Sequence, residues 1–389
     1  MAGRVEADRV RAIQRYEDQE SVSAICSSMG YSRDWFYRWL KRYESGDPDW
    51  YRERSRRPAH VALRTARDIE EIVKKVRLEL VEDEEFSGAQ AICWRLEELG
   101  VRPCPSVRTI NRILARSDLI RRRTGPYVPS GKKYPKLPAA NAGSLHQSDF
   151  VGPYYLGRGL RFYSLNSVDL ATGRCATEPM RTRDAQATVT AFWRTWTRLG
   201  IPEFQQVDND MVFYGSARHP RGLGPLVRLC LMHDVEPWFI PLAEPWRNGV
   251  VEKFNDIWRQ KFVGHVQLSS EEDLQAESLA FESRHNSRYR YSKLNGKTPI
   301  EALKASRVKL RFPPGSETPR HPLPRPDKGQ YHLVRFVRSE GQFDVFGEKF
   351  RAPPECVYEY VCLTIDVANE RLKVLLNWKQ VDEHPYDLK

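Results

Sequence analysis

The sequence predicts a multidomain chain with an all-α front, a central α/β core and a small all-β tail. Three observations carry that division. Helical periodicity behind serine caps dominates residues 1–125. Short β-rich runs alternate with helices from residue 144. Tight apolar–polar alternation between turn residues begins at 329. At 389 residues the chain is long for one core, and stretches rich in Pro, Gly and basic residues supply the boundaries. The expected order is a helical domain at 1–50, a basic linker at 51–62, a second helical domain at 63–125 and a linker at 126–143. The core follows at 144–306, then a Pro-rich linker at 307–328 and a β-barrel domain at 329–389.

Charge narrows the partners. There are 62 Lys and Arg against 51 Asp and Glu, a net +11, which favours nucleic acid or an anionic surface. Residues 1–140 hold 28 basic and 21 acidic side chains, so most of the surplus lies in the front third. No apolar run approaches a membrane span, and the start MAGRVEADRVRAIQRYEDQ lacks the apolar segment of a signal peptide. Seven scattered cysteines fit a reducing, cytoplasmic setting, on the nucleoid if the host is bacterial. Cys26, Cys93 and Cys230 stand among apolar residues as core thiols. Neither a CxxC pair nor an HxxxH spacing points to structural zinc.

In ESVSAICSSMGYSRDWFYRWLKRYESG, Ser21 can cap one short helix, Gly30 marks a turn and Ser32 caps the next. The second helix puts Phe36, Trp39, Leu40 and Tyr43 on one face and leaves Arg33, Arg38, Lys41 and Arg42 for phosphates. Helix, Gly-containing turn and basic helix make up helix-turn-helix grammar; a small bundle with a solvated charged face is the plainer alternative. The linker YRERSRRPAH, with Arg54, Arg56 and Arg57, can lie along a DNA backbone. In the second block, SGAQAICWRLEELG opens with a capping-box pattern from Ser87 to Gln90. PSVRTINRILARSDLIRRR then has Ser106 as cap and Val107, Ile110, Ile113 and Leu114 inward. Arg108, Asn111 and Arg112 lie outward, residue types that read base edges and phosphates. Two successive basic units of this kind imply a long, bipartite site on double-stranded DNA.

The core begins with three short β-rich runs in SLHQSDFVGPYYL, LRFYSLNSVDLATG and RCATEPM. An amphipathic helix, DAQATVTAFWRTWTRLG, follows, then the strands PEFQQVDND and EPWFIPL around an irregular basic stretch. A further helix lies in PWRNGVVEKFNDIWRQKF, where Val251, Phe254, Trp258 and Phe262 form a buried stripe with Glu252 at its edge. Three strands, a helix, a strand and further helices give the order of a ribonuclease-H-like sheet. NGKTPIEALKAS adds a helix with Thr298 as cap, Pro299 at its first position and Glu301 reaching back. The tail alternates in QYHLVRFVR, QFDVFGEKFRAP, YVCLTIDV and RLKVLLNW, which reads as a small barrel or sandwich.

In such a sheet Asp149 lies on the central first strand, Asp208 ends its neighbour and Glu252 rides the helix crossing their ends. A carboxylate in a first helical turn ordinarily serves the helix dipole, but three convergent carboxylates repel one another unless cations neutralise them. Mg²⁺ or Mn²⁺, two ions per site, suits an oxygen-only set and phosphodiester chemistry. Asp169 reads as a turn residue, Glu244 precedes a proline with no strand or helix to fix it, and His146 and His233 read as structural or surface groups. Trp246 and Arg247 stand beside the site and could grip a DNA end, with core packing the equal alternative for Trp246.

HQSDFVGPYYL, VDNDMVFYG and EPWRNGVVEKFN resemble the three catalytic blocks of the DDE transposase and retroviral-type integrase superfamily. The front, GYSRDWFYRWLKRY with RERSRRP, resembles transposases of the IS481 and IS3 insertion-sequence groups. The resemblance runs from the front helices to about Ala305 and implies that Asp149, Asp208 and Glu252 are the metal-binding triad, accompanied by Asn209 and Asn248–Gly249. It also implies 3′-end cleavage at element ends, strand transfer into target DNA, and a homo-oligomer on DNA with no membrane partner. Two features depart from the pattern. Asp210 replaces the usual glycine, at a place where Asp tolerates a left-handed backbone, and is a rival metal ligand. The long gap between Asp208 and Glu252 carries Arg218, Arg221 and Arg228, expected as a basic excursion near the active face or as simple loop growth. A catalytically silent, transposase-derived DNA-binding regulator is the competing reading; a nuclease that cuts without joining is a third.

Overall fold

The computed structural model describes residues 2–53, 65–120, 133–155, 161–216, 218–219, 221–265 and 270–389. The chain divides into two compact units, 1–64 and 65–389. Arg54, Arg56 and Arg57 lie outside the described residues.

In the first unit, three helices form where caps and periodicity direct them: α1 (Ala2–Glu17), α2 (Val22–Met29) and α3 (Arg33–Glu44). Ser21 Oγ accepts the Ala24 N–H at 3.3 Å and Ser32 Oγ that of Trp35 at 3.1 Å, each satisfying an otherwise orphaned donor. Gly30, at φ +71°, ends α2 in the left-handed conformation. Ala12, Ile13, Ile25, Cys26, Phe36 and Leu40 pack together at the centre. Arg33, Arg38 and Lys41 are exposed along α3. Arg42 is half-buried, its guanidinium 4.5 Å from the Trp39 ring centre and its Nη1 donating to the Arg52 carbonyl at 3.1 Å.

The second unit opens with α4 (Arg67–Glu82), α5 (Ala89–Glu98) and α6 (Val107–Arg116). Val73, Val76 and Leu80 of α4 meet Ile92 and Leu96 of α5 and Ile110, Ile113 and Leu114 of α6. The capping box expected from Ser87 does not form: Gly88 occupies the cap and no side chain closes it. Ser106 caps α6 as expected, at 3.2 Å from the Thr109 N–H, and Arg108, Asn111 and Arg112 are exposed.

The core follows as β1 (Leu145–Tyr155), β2 (Arg161–Asp169), β3 (Cys175–Met180), α7 (Ala185–Leu199), β4 (Phe204–Val207), α8 (Met211–Tyr214), α9 (Pro225–Met232) and β5 (Glu236–Phe239). After a 3₁₀ turn at Pro245–Asn248 come α10 (Gly249–Trp258), α11 (Glu271–Arg288) and α12 (Pro299–Ser306). β1 is antiparallel to β2 and parallel to β4, and β5 lies parallel beyond β4, giving the spatial order 3-2-1-4-5 expected for a ribonuclease-H-like sheet. The stretch expected to be a basic excursion instead contains α9, which buries Leu226, Val227, Leu229 and Cys230. Pro225 at its first position pre-sets the helical φ. Two of its arginines are ties: Arg221 pairs with Glu348 at 3.0 Å, and Arg228 donates to the Leu323 carbonyl at 2.8 Å. Arg218 is exposed. The Thr298–Glu301 capping box is present at α12.

The tail differs from the separate barrel the alternation predicts. β6 (Gln330–Phe336) pairs in parallel with β5, through Trp238 opposite His332 and Phe239 opposite Leu333. β9 (Tyr360–Asp366), β10 (Arg371–Leu376) and β11 (Lys379–Pro385) then continue one nine-stranded sheet in the order 11-10-9-6-5-4-1-2-3. Only β7 (Gln342–Val345) and β8 (Glu348–Arg351) pair apart, with each other. The reason is the edge: without β6, β5 would present a row of unpaired backbone groups beside apolar Trp238 and Phe239. The Pro-rich segment, expected as a spacer, lies against the core: Leu323 is buried and Ile201 bridges to Arg311.

Candidate active site

Parallel pairing of β1 with β4 sets Leu145 opposite Phe204, His146 opposite Gln205 and Gln147 opposite Gln206. Two positions beyond the last of these pairs come Asp149, within β1, and Asp208, the first residue after β4. Immediately after Asp149, β1 bulges between Val151 and Tyr154. Gly152 takes φ +111° there, and a Cβ on it would lie 3.0 Å from the Phe162 carbonyl oxygen. The bulge turns the strand away just past the acid, a common device beside sites.

Glu252 reaches the same cleft because α10 is pinned by buried amides. Gln147 Oε1 accepts the Val250 and Val251 N–H groups at 3.1 and 3.2 Å, serving the helix start as a cap supplied by β1. Asn248, also buried, donates Nδ2 to the Ser148 carbonyl at 3.2 Å and accepts from Gln206 Nε2 at 3.2 Å. One helical turn beyond Glu252, Asn255 Nδ2 donates to Asp149 Oδ2 at 2.8 Å while its Oδ1 accepts from Asn166 Nδ2 at 2.9 Å. Val251, Phe254, Trp258 and Phe262 are buried against Phe162, Val168 and Phe281, so the expected stripe anchors the helix.

The electrostatics follow from this gathering. Burial, reinforced by the charges of Asp208 and Glu252, pushes the Asp149 carboxyl up to about 7, against the pull of Asn255. Asp208 is also raised, chiefly by burial, with Asp210 adding repulsion and the Asp210 N–H and Arg183 opposing it. Glu252 is raised by burial and by Asp256. The three acids do not bring oxygens within 4.8 Å of one another all at once. Asp149 and Glu252 share an open cleft of about 460 Å³ with Tyr154, Asn255, Asp256 and Arg259, and Asp208 follows the strand paired with that of Asp149.

Asp210 does not need the left-handed backbone allowed for it: at φ −67° it caps α8, accepting the Val212 N–H at 3.1 Å, and it pairs with Arg183 at 2.7 Å. Asn209 holds the other side of the loop, donating to the Ile240 carbonyl at 2.6 Å and accepting from Arg335 of β6 at 2.9 Å. Asp169 is structural: it accepts from Gly143 N–H at 2.6 Å and from the Thr172 N–H and hydroxyl at 2.7 Å each. Burial raises its carboxyl, but contacts with His146, Thr172 and Gly143 outweigh that and hold it at about 2.

Arg247 is not free to grip DNA as expected. Its Nε donates to Glu244 at 2.9 Å and its Nη2 to the Tyr360 hydroxyl at 3.2 Å, with the guanidinium 3.9 Å from the Tyr134 ring centre. Glu244, expected to be unfixed, also accepts from the Tyr360 hydroxyl at 2.7 Å. Desolvating an arginine next to an available carboxylate and two rings favours this closed arrangement. Trp246 is 53% exposed, which answers the packing alternative for it. Sequence reasoning missed Asn255, Arg259 and Arg335. Asn255, four residues beyond Val251, falls on the buried face, and a polar residue at such a position was the available signal.

A family model described as winged helix-turn helix matches residues 9–67. Among curated proteins, none matches the sequence. Among solved structures, the chain is similar to the integrase catalytic core domain of HTLV-2 in complex with magnesium, at 16% identity and TM-score 0.33, covering 43% of this chain and 99% of that one. It is similar to the simian T-cell lymphotropic virus intasome in complex with PP2A regulatory subunit B56 gamma, at 14% identity and TM-score 0.37, covering 73% and 90%. The catalytic core domain of BIV integrase matches at 15% identity and TM-score 0.32, covering 42% and 95%. Nothing about this chain's residues follows from overlaps this low.

Proposed function

We propose that the chain is a DNA transposase of the DDE type, a polynucleotidyl transferase that binds element ends, cleaves their 3′ ends and joins them to target DNA. The observation that carries the reading is geometric: Asp149 and Asp208 come from the paired strands β1 and β4, and Glu252 of α10 lines the same cleft as Asp149, acids 59 and 103 positions apart from it in the chain. A cluster that destabilises its own charge is a poor structural device and a good cation site.

The donor set fits divalent ions that prefer oxygen: Asp149, Asp208 and Glu252 would hold Mg²⁺ or Mn²⁺, two ions per site, with Asp210 occupied elsewhere. The chemistry such ions supply is Lewis-acid stabilisation of the attacking and leaving oxygens of a phosphodiester. The chain's own residues do the positioning. Asn255 orients Asp149 and favours its ionised form against burial, Gln147 and Asn248 fix the start of α10 that carries Glu252, and Arg335 steadies the Asp208 loop through Asn209. Arg259, which lines the cleft and pairs with Asp256, and exposed Trp246 would meet a DNA end. The basic faces of α3 and α6 bind terminal repeats, and pairing of two ends requires a homo-oligomer on DNA.

The deciding experiment uses Asp208→Asn with DNA carrying matched element ends, with Mg²⁺ and with chelator. The expected result is retained end binding without strand transfer. Full transfer by this variant overturns the assignment. Metal-independent binding with no nicking by the unaltered chain replaces it with the silent DNA-binding regulator.

A further inference from the structure

The geometry points to a second metal centre, of the zinc class, in the helical block ahead of the core, held by Cys93, Glu97 and Cys104. Cys93 and Glu97 are four residues apart on α5 and so share a face, while Cys104 comes from the turn that leads into α6. The two Sγ atoms are 3.8 Å apart, Cys93 Sγ lies 3.6 Å from Glu97 Oε1, and all three donor atoms fall within 4.8 Å of one another. Among the described residues no other set of three His, Cys, Asp or Glu donors is gathered so closely.

The first two spacings are those of a tetrahedron's edges. Zinc–sulfur bonds of about 2.3 Å at the tetrahedral angle place two sulfurs about 3.8 Å apart. A zinc–oxygen bond of about 2.1 Å places sulfur and oxygen about 3.6 Å apart. A disulfide would need about 2.0 Å between the sulfurs, and apolar packing of thiols gives no reason for a carboxylate oxygen to join them. Glu97 is otherwise an exposed side chain at the end of α5. Two thiolates and a carboxylate select a softer ion than the all-oxygen cleft does, so the two centres differ in chemistry as well as place. Three protein donors leave a fourth position for water.

Coordination balances without any redox step: both thiols release their protons to solvent as the metal–sulfur bonds form. Because both thiols must lose their protons to bind the ion, uptake competes with protons and weakens as pH falls. An ion there would tie α5 to the turn that delivers Ser106, the cap of α6, and thereby steady the helix bearing Arg108, Asn111 and Arg112. The spacing, four residues within a helix and then seven across a turn, has no CxxC signature, which is why the sequence conceals it.

The test titrates the reduced, chelator-stripped full chain with Co²⁺, reading the sulfur-to-cobalt charge-transfer band and the intense visible bands of a tetrahedral site, then displaces cobalt with Zn²⁺. The expected result is saturation at about one equivalent per chain, loss of the charge-transfer band in Cys104→Ser, a weakened and shifted spectrum in exposed Glu97→Gln, and no change in Asp208→Asn. Absence of charge-transfer bands while both thiols titrate as reduced overturns the proposal. So does an unchanged spectrum in Cys104→Ser, or a Cys93–Cys104 disulfide formed in air by a chain that takes up no metal when reduced. Because Cys104 is only half-buried and Glu97 exposed, these variants keep the test independent of the buried Cys93.

Discussion

Asn255 donates to Asp149 across 2.8 Å, so a neutral amide on α10 partly offsets the burial and repulsion that raise this carboxyl. Removing that donor in Asn255→Leu should move the acid limb of the strand-transfer pH profile upward by about one pH unit, the scale of one hydrogen bond to a charged group. A pH–rate profile at saturating Mg²⁺ checks this, and an unmoved limb would show that the contact is only structural.

The raised Asp149 carboxyl also predicts how stability depends on pH without metal. The unfolded group ionises in the ordinary aspartate range and the folded one at about 7. Between those values the native state binds more protons, so native stability falls as pH rises from about 4 through about 7. The full span corresponds to at most ~4 kcal/mol at 1.36 kcal/mol per pH unit. Melting of Asp149→Asn in chelator at pH 8 should therefore occur at a higher temperature than that of the unaltered chain. Mg²⁺ should close the gap by stabilising only the latter.

Arg335 is 4% exposed and donates to Asn209, to the Asp344 carbonyl at 2.8 Å and to the Ile240 carbonyl at 3.3 Å. Arg335→Leu leaves these acceptors buried and unmet at about 1–3 kcal/mol each before relaxation. The expected outcome is a lower melting point together with a weaker apparent affinity for Mg²⁺ in strand transfer, the second partly restored by Arg335→Lys. A lower melting point with unchanged metal dependence would leave Arg335 a packing residue only.

Arg38 and Lys41 are exposed on α3, whereas Arg247 is closed in by Glu244, Tyr360 and Tyr134. The double variant Arg38→Ala/Lys41→Ala should weaken end binding and reduce the log–log salt slope by about one per lost phosphate contact. Arg247→Ala should instead lower the melting point and leave that slope unchanged. Binding measured across a salt series separates the two.

Much of this was legible because local and long-range signals agreed. Ser21, Ser32, Ser106 and Thr298 cap where their neighbours predicted, since capping is decided within four residues. Asp149 in β1, Asp208 just past β4 and Glu252 in α10 fall in the elements that strand order and one buried helical stripe predict. What stayed hidden depends on partners far away in sequence. Arg221 and Arg228 read as a charged surface until Glu348 and the Leu323 carbonyl are in place. Arg247 reads as a DNA ligand until Tyr360 arrives from β9. The tail alternates as a free-standing barrel would, because period-two alternation marks a strand but not its neighbour.

The shared backbone ladder between β5 and β6 makes the last sixty-odd residues a poor candidate for a swappable cassette. A hybrid that grafted another protein's tail at residue 329 would have to reproduce the docking of His332 and Leu333 onto Trp238 and Phe239, and a guanidinium in the place of Arg335. Without them, the graft would loosen the loop that carries Asp208 long before it retargeted anything.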